Sequence, residues 1–463
     1  MTISHYQLAI IGGGPAGMSA AITATSAGLS VIVLDDQSAA GGQAYRNLAA
    51  NSVASPTYLG AGYYAGTKLI RDFATCGAIH RMDCTIWQIT ASRDIALVVN
   101  GKAEIITADY IIIATGAIER PMPVNGWTLP GVMSVGGAQT LLKQAALGAD
   151  EAVFVGTGPL LYLAAWQYIK AGLRVRALVD TTSAAAWHRA LLLAPLALLQ
   201  PKMMLSGLSW LRLIKRRTMV IKNCVAVSIT GEAKVQSLRV TTASGAIHDI
   251  ETAHVFLHQG VIPNTNLTMA SGLEHRWDTA AHCWRPHLDR NGQSSDRYIY
   301  VVGDGSYIGG AAASVIAGRR GANAIIRQIK GNSIKRQLSH YLDNVQQWHS
   351  LAIRPFLDWL YLPPATMRLA QSDDTIICRC ESVTKSDIEA ALVTGVAGPN
   401  QLKAFCRAGM GRCQGRSCGL VVQEMIANHN QQTMAQTGYY RLRPPVKPIT
   451  LAALASLQGP WPE

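Results

Sequence analysis

Leu8-Ala-Ile-Ile-Gly-Gly-Gly-Pro-Ala-Gly17, followed by Ser30-Val-Ile-Val-Leu-Asp35, is the stretch that decides the fold of this chain. The apolar run predicts a buried strand, the glycines a tight turn, and the Ala-rich segment after Pro15 and Ala16 a helix leading to the next strand. In that frame Gly12 makes the turn, Gly14 lets a pyrophosphate touch the backbone and Gly17 lets helix meet strand. Asp35 stands where a carboxylate reaches ribose hydroxyls. Strand, glycines, helix, second strand and acid in that order predict a dinucleotide site; glycine-rich packing without a ligand is the plainer alternative.

Further along, Asp109-Tyr-Ile-Ile-Ile-Ala-Thr-Gly116 and Tyr298-Ile-Tyr-Val-Val-Gly-Asp304-Gly read as two more buried strands that end in small-residue turns. They resemble motifs of flavoproteins with two dinucleotide-binding domains, and the resemblance implies FAD. Thr115 and Gly116 would close over the cofactor and Asp304 would meet its ribityl chain, with Gly303 a further cofactor-binding candidate. Gly309, Gly310 and Ala311 then open a helix whose N-terminus faces the flavin. Gly42 and Gln43, in Gly41-Gly-Gln-Ala-Tyr-Arg46, complete the cofactor-binding candidates. Flavin disulfide reductases would carry a redox-active cysteine pair in that region, so its absence here argues against dithiol chemistry.

A second unit, Ala152-Val-Phe-Val-Gly-Thr-Gly-Pro-Leu-Leu161 with Val175-Arg-Ala-Leu-Val-Asp180, has the outline of an NAD(P)H site. Leu161 replaces the third glycine, and its bulk is expected to obstruct close helix–strand packing. NAD(P) or another adenine nucleotide is therefore left unsupported. The histidines read as isolated, no Ser/His/Asp order appears, and no acid or base for C–H or N–H cleavage stands out.

Near the C-terminus, Cys378 and Cys380 form a C-x-C pair, and Cys413 and Cys418 a C-x4-C pair. Each pair can offer two sulfurs to one metal, which is the ligand count of a [2Fe-2S] cluster. Gly409, Gly411, Gly415 and Gly419 would let backbone N–H groups approach the sulfurs, and Arg379, Arg412 and Arg416 would offset the cluster's negative charge. A structural zinc site also takes four thiolates, though more often without a C-x-C start. Cys406 can replace one ligand or simply pack in a helix. The total of 9 cysteines is odd, which fits a reducing compartment better than a disulfide framework.

The 463 residues allow two or three domains, and only 15% are charged, fewer than an ordinary soluble surface carries. That deficit fits either size scaling or surface covered by other subunits. The net charge of +13 is dispersed except at Arg212-Leu-Ile-Lys-Arg-Arg217, and no nucleic-acid module accompanies it. Residues 190–210 are the one membrane-like stretch, but Pro195, Pro201 and Lys202 interrupt it, so it is expected to face a lipid surface or another subunit. No signal peptide is read at the start, so a cytoplasmic location is expected, peripheral to the inner membrane at most through the electron acceptor.

The expected architecture is α/β: a two-dinucleotide-binding-domain flavoprotein with a small helical domain. Residues 1–120 and 251–330 form the two parts of the FAD-binding domain, and 121–250 an inserted second nucleotide-binding-type domain. A helical linker at 331–370 leads to the cysteine domain at 371–430. In the linker 337–348 has apolar residues on one face, and Pro355, Pro363 and Pro364 then break the pattern. In the cysteine domain Thr384 or Ser386 caps one helix and 421–428 forms another. The tail at 431–463 is expected to be extended, along a neighbour or loose.

GGGPAG at 12–17, GGQAYR at 41–46, ATGAIERPMPVNGWTLPGVMSVGGAQ at 114–139, GDG at 303–305, CRCE at 378–381 and RAGMGRCQGRSCG at 407–419 resemble one family over nearly the whole chain. It is the alpha subunit of multi-subunit flavoprotein amine and amino-acid dehydrogenases, which includes opine oxidases, D-hydroxyproline dehydrogenase and hydrogen cyanide synthase. The resemblance implies FAD and a bacterioferritin-associated-ferredoxin-like [2Fe-2S] domain. It further implies a beta flavoprotein subunit that oxidises the substrate C–N bond and a small ferredoxin-like gamma subunit. The expected function is an electron relay. Its rivals are a self-sufficient NAD(P)H-dependent flavin/iron–sulfur reductase and a scaffold with a fossil flavin site.

Overall fold

A computed structural model describes residues 4–54, 57–331 and 334–457. Strand Ser4–Ile11 lies between Val31–Leu34 and Lys102–Ile113, parallel to both; Ile79–Arg81 extends one edge, and Ile299–Val301 pairs with 111–113. Helices and loops cover both faces. Leu8 and Ile10 therefore point into one core and Ala9 and Ile11 into another, and the strand reads as an unbroken apolar run. Helix Pro15–Ser26 crosses to the second strand with Pro15 at its start and Gly14 as its N-cap. A Cβ on Gly17 would fall 1.9 Å from Gly12 O, so helix and turn close only over glycine.

The second sheet is parallel throughout, in the order Met219–Ile221, Val175–Asp180, Ala152–Thr157, Val255–Gln259, Val132–Ser134. An antiparallel sheet of Cys224–Thr230, Ser237–Thr242 and Ile247–Glu251 completes that unit. The chain leaves the first unit through Ala117–Glu119 and re-enters through Val261–Pro263, and these two short strands pair antiparallel. Helix Pro159–Lys170 starts at Pro159 and carries Leu161 in its first turn. Leu161 is fully buried in a core with Phe154, Tyr168 and Phe256, whose rings meet edge to face at 5.1–5.7 Å. That aromatic layer gives the leucine a place to pack, and its burial is worth roughly 1.5–3 kcal/mol.

The membrane-like stretch becomes Ala184–Leu191, Ala194–Leu198 and Pro201–Arg217, and no helix among the described residues is long and apolar enough to cross a membrane. Linker helix Ile334–Leu351 turns a polar edge inward: Asp343 is buried and accepts from Arg319 Nε at 2.6 Å and Asn323 Nδ2 at 3.1 Å. Its apolar face, with Leu338 59% and Trp348 64% exposed, points away from the protein. Next come Arg354–Leu360, with Pro355 in its first turn, and Ala365–Arg368.

The cysteine region packs Lys385–Leu392, Pro399–Cys406 and Gly419–His429 around Ile377, Ile388, Leu402, Val422 and Ile426. Thr384 is the N-cap of the first helix and forms a capping box with Asp387. The tail departs from expectation, since its described part runs over the chain's own surface. Tyr440 donates to Ala408 O at 2.8 Å, Val446 lies in the core beside Ile11 and Leu34, and Lys447 pairs with Asp36 at 2.7 Å. Thr450 then caps a last helix, Leu451–Ala455; residues 458–463 lie outside the described residues. Pro444 and Pro445 do not set the tail free, because Val446 buries and its N–H bonds Trp87 O at 3.0 Å.

Candidate functional site

A single cleft of about 1380 Å³ is lined by Gly12, Gly14, Pro15, Ala16, Asp35, Gly42, Gln43, Thr115, Gly116, Asp304 and Gly310. Gly17 and Gly303 stand behind its wall as packing positions, Gly303 where a Cβ would come 2.7 Å from the Ala16 Cβ. Asp35 is buried at the end of Val31–Leu34; its Oδ2 accepts from Gly13 N at 2.9 Å and its Oδ1 from Gln37 N at 3.1 Å. A Cβ on Gly13 would fall 2.2 Å from that Oδ2, which explains the middle glycine of the triplet. Burial pushes the Asp35 carboxyl above its ordinary range, against the two N–H bonds that lower it.

Asp304 sits in the turn after Ile299–Val301, and its Oδ1 accepts from Gly309 N at 2.8 Å and Gly310 N at 2.9 Å. Oδ2 has no partner among the described residues. Arg46 borders the cleft with a buried Nε that lacks a hydrogen bond. Such open groups beside a glycine cradle fit a dinucleotide carrying hydroxyls and phosphates. Sequence reasoning missed Lys143, which reaches from helix Val135–Ala145 to Gln43 O at 3.0 Å and holds the 42–46 loop. Burial, with Arg46 nearby, brings its ammonium down to about 8. A lone Lys on an amphipathic helix gives no sequence signal of that role.

The second glycine loop borders the same cleft through Gly158, Pro159 and Leu160. A Cβ on Gly156 would lie 1.7 Å from His258 O, and one on Gly158 would lie 3.5 Å from His258 Nε2. His258 is not isolated, since its Nδ1 meets Glu119 Oε1 at 2.7 Å, and Glu119 Oε2 accepts from Gly136 N at 2.9 Å. Asp180 has both oxygens engaged, by Tyr162 OH at 2.8 Å and Thr182 N at 2.8 Å. The pairing of residues 119 and 258 arises only because the inter-unit strands bring them together, so spacing gave no hint of it.

Cys378 and Cys418 are buried and within hydrogen-bonding reach of each other, and Cys380 and Cys413 form a second, partly exposed pair. The sequence suggested that each loop pairs its own sulfurs; the fold pairs them across the two loops. The reason is burial: Cys378 ends strand Ile376–Cys378 and Cys418 caps Gly419–His429, so both face the domain core. A hydrogen bond from Cys418, opposed by burial and helped by the N–H groups of Gly409, Glu381 and Cys380, lowers the Cys378 thiol to about 6. No group of three or more His, Cys, Asp or Glu among the described residues is arranged to hold a metal ion. Cys406 ends its own helix and points its thiol back toward Leu402 O at 3.6 Å.

The cysteine loops press on the cleft. Asn266 Nδ2 donates to Gln414 O at 3.0 Å, and Arg416, which donates to Cys413 O at 3.0 Å, lines the cleft wall. Glu424 anchors the domain, receiving Arg368 at 2.6 Å from the linker and His282 at 3.2 Å from the first unit. Trp127 of the second unit donates to Ile376 O at 2.6 Å.

Residues 6–321 match the pyridine nucleotide-disulphide oxidoreductase family, and residues 373–458 match the sarcosine oxidase A3 domain. An opine oxidase subunit of Agrobacterium tumefaciens (strain Ach5) is 39% identical, with 98% of this chain and 92% of that protein aligned. Hydrogen cyanide synthase subunit HcnB of Pseudomonas aeruginosa is 32% identical, over 97% of this chain and 98% of that one. Among solved structures, L-proline dehydrogenase from P. horikoshii superposes with a TM-score of 0.71 at 17% identity, covering 98% of this chain and 80% of that one. Thioredoxin reductase of T. acidophilum superposes with 0.52 at 22% identity, over 70% of this chain and 99% of that one.

Proposed function

Because the chain belongs to the pyridine nucleotide-disulphide oxidoreductase family and is a full-length homologue of an opine oxidase subunit, it is an FAD-dependent oxidoreductase, and we propose that it serves in electron transfer within a larger enzyme. The assembly is a hetero-oligomeric dehydrogenase that oxidises the C–N bond of an amino acid, imino acid or opine, with a beta flavoprotein as partner and a small ferredoxin-like gamma subunit. The observation that carries this reading is the seating of four cysteines, in two pairs, on loops that touch the wall of the dinucleotide cleft.

FAD held by the 12–17 loop, Asp35, the 42–43 and 115–116 turns and Asp304 would accept two electrons, and a [2Fe-2S] centre on Cys378, Cys380, Cys413 and Cys418 would carry one at a time. The chain's own residues hold, orient and shield. Asp35 fixes the glycine turn through Gly13, and Asp304 leaves one oxygen open to a hydroxyl donor. Val446 and Lys447 cover the rim beside Asp36. Arg416 supplies positive charge where the cysteine loop meets the cleft. No acid or base is proposed for bond cleavage here, since that chemistry is assigned to the partner. The outward apolar face of Ile334–Leu351 supports a partner surface, because a helix whose polar edge is buried leaves its apolar residues in water until another chain covers them.

Anaerobic purification followed by iron, acid-labile sulfide and flavin analysis tests the reading. Two irons and two sulfides per FAD are expected, with both lost in Cys378→Ser. Zinc in place of iron, or robust opine turnover by this chain without a second flavoprotein, would overturn it.

A further inference from the structure

We propose that a second cavity, of about 430 Å³ and distinct from the dinucleotide cleft, binds a phosphate monoester. Arg276 and Arg285 stand directly opposite each other on the antiparallel strands His275–Asp278 and Cys283–Pro286, so both guanidinium groups leave the same face. Like charges directly opposite each other destabilise a hairpin, and Arg276 has no ion-pair partner among the described residues. Arg290 and Arg320 reach the same cavity from the following loop and from helix Ala311–Lys330.

Asp289 is the acid in the cavity's lining, and it is already engaged by Asn291 N at 2.7 Å, Gln293 N at 2.8 Å and Asn291 Nδ2 at 3.2 Å. Arg285 does pair with Asp278 at 3.1 Å, but Asp278 lies on the side of the dinucleotide cleft, outside this lining. Arg320 donates through Nη2 to Arg290 O, while its Nε is buried without a hydrogen-bond partner. With Arg285 paired to Asp278 and Asp289 engaged by its own loop, the guanidinium groups of Arg276, Arg290 and Arg320 match the double negative charge and tetrahedral oxygens of a phosphate monoester better than a single carboxylate. The volume exceeds a bare phosphate and falls within the ordinary range for a small organic ligand, about 300–1,000 Å³. Leu288 and Leu351 give such a ligand an apolar wall. Arg285, Val302 and Tyr307 border both cavities, which places the ester against the turn that carries Asp304. None of these features depends on the electron-transfer role.

The test uses the full-length chain loaded with FAD, so that the first site is occupied, with inorganic phosphate and phenyl phosphate as probes. Calorimetry and thermal melts are run on the wild type, Arg276→Gln and Arg320→Gln, at fixed chloride. Both probes should raise the wild-type melting temperature, and each variant should bind at least about tenfold more weakly. Without a probe, Arg276→Gln should melt no lower than wild type, because it relieves a repulsion. Tighter binding of phenyl phosphate would show that the organic body is read; equal binding would show that the phosphate alone is. Absence of any thermal response to either probe, or equal affinities in all three proteins, would overturn the proposal.

Discussion

The loops at 12–17 and 156–161 have the same construction, a buried parallel strand, a Gly-x-Gly turn and a helix begun by proline, and both border the cleft, yet different side chains surround them. In the first, Asp35 holds the turn and the cleft beyond it is free. In the second, His258 stands beside the turn and lines the cleft with it, Tyr162 engages Asp180, and Leu161 takes the place of the third glycine in an aromatic core. Topology alone does not make a nucleotide site. What separates the two is the surroundings of the strand-end acid, backbone N–H groups alone for Asp35 and the Tyr162 hydroxyl with Thr182 N for Asp180.

Gly13→Ala gives the largest test of that contrast. Its Cβ would displace the Asp35 carboxylate, and the flavin-to-protein ratio by absorbance should fall more than about tenfold, since both a fixed turn and a cradle are lost. Retention of full flavin would break the comparison at its first member. Leu161→Ala should leave flavin content intact but lower unfolding stability by about 2–5 kcal/mol in urea titrations, as for other buried leucines.

Docking of the cysteine domain against the first unit sharpens the contrast through pH. Burial would raise the Glu424 carboxyl, but His282 and Arg368 hold it at about 2, below its ordinary 4.5. Its folded value is depressed, so its stabilisation is complete above about pH 4.5 and is lost as pH falls toward 2. That amounts to about 3 kcal/mol by linkage. Urea midpoints should drop across that window in the wild type and much less in Glu424→Gln; equal slopes would remove Glu424 as the anchor. The smallest effect is expected for Tyr162→Phe, about 1 kcal/mol, from one buried hydrogen bond. Mixing either protein with NADH or NADPH in a stopped-flow instrument should leave the flavin absorbance unbleached. Rapid bleaching of the wild type would show that the second loop accepts a nicotinamide after all.

Much of the fold was legible because its signals are local. The apolar run at 8–11, the glycines at 12, 14 and 17 and the acid at 35 act within one β–α–β unit, and the Thr384 cap needs only the N–H three residues later. Other features were not legible. The linker helix shows an amphipathic pattern, but the pattern does not say which face meets this chain. Asp343 settles that by pairing with Arg319 and Asn323 on a different helix.

The sequence by itself determined the strand–turn–helix units, the cradle residues and the set of four clustered cysteines, since short-range sterics and spacing control these. Only the tertiary structure decided that sulfurs pair across loops, that Glu119 meets His258, that the tail buries Val446, and that four arginines converge on one cavity. Each of those joins residues far apart in the chain, and their contact depends on how whole sheets and helices pack, which no local pattern encodes.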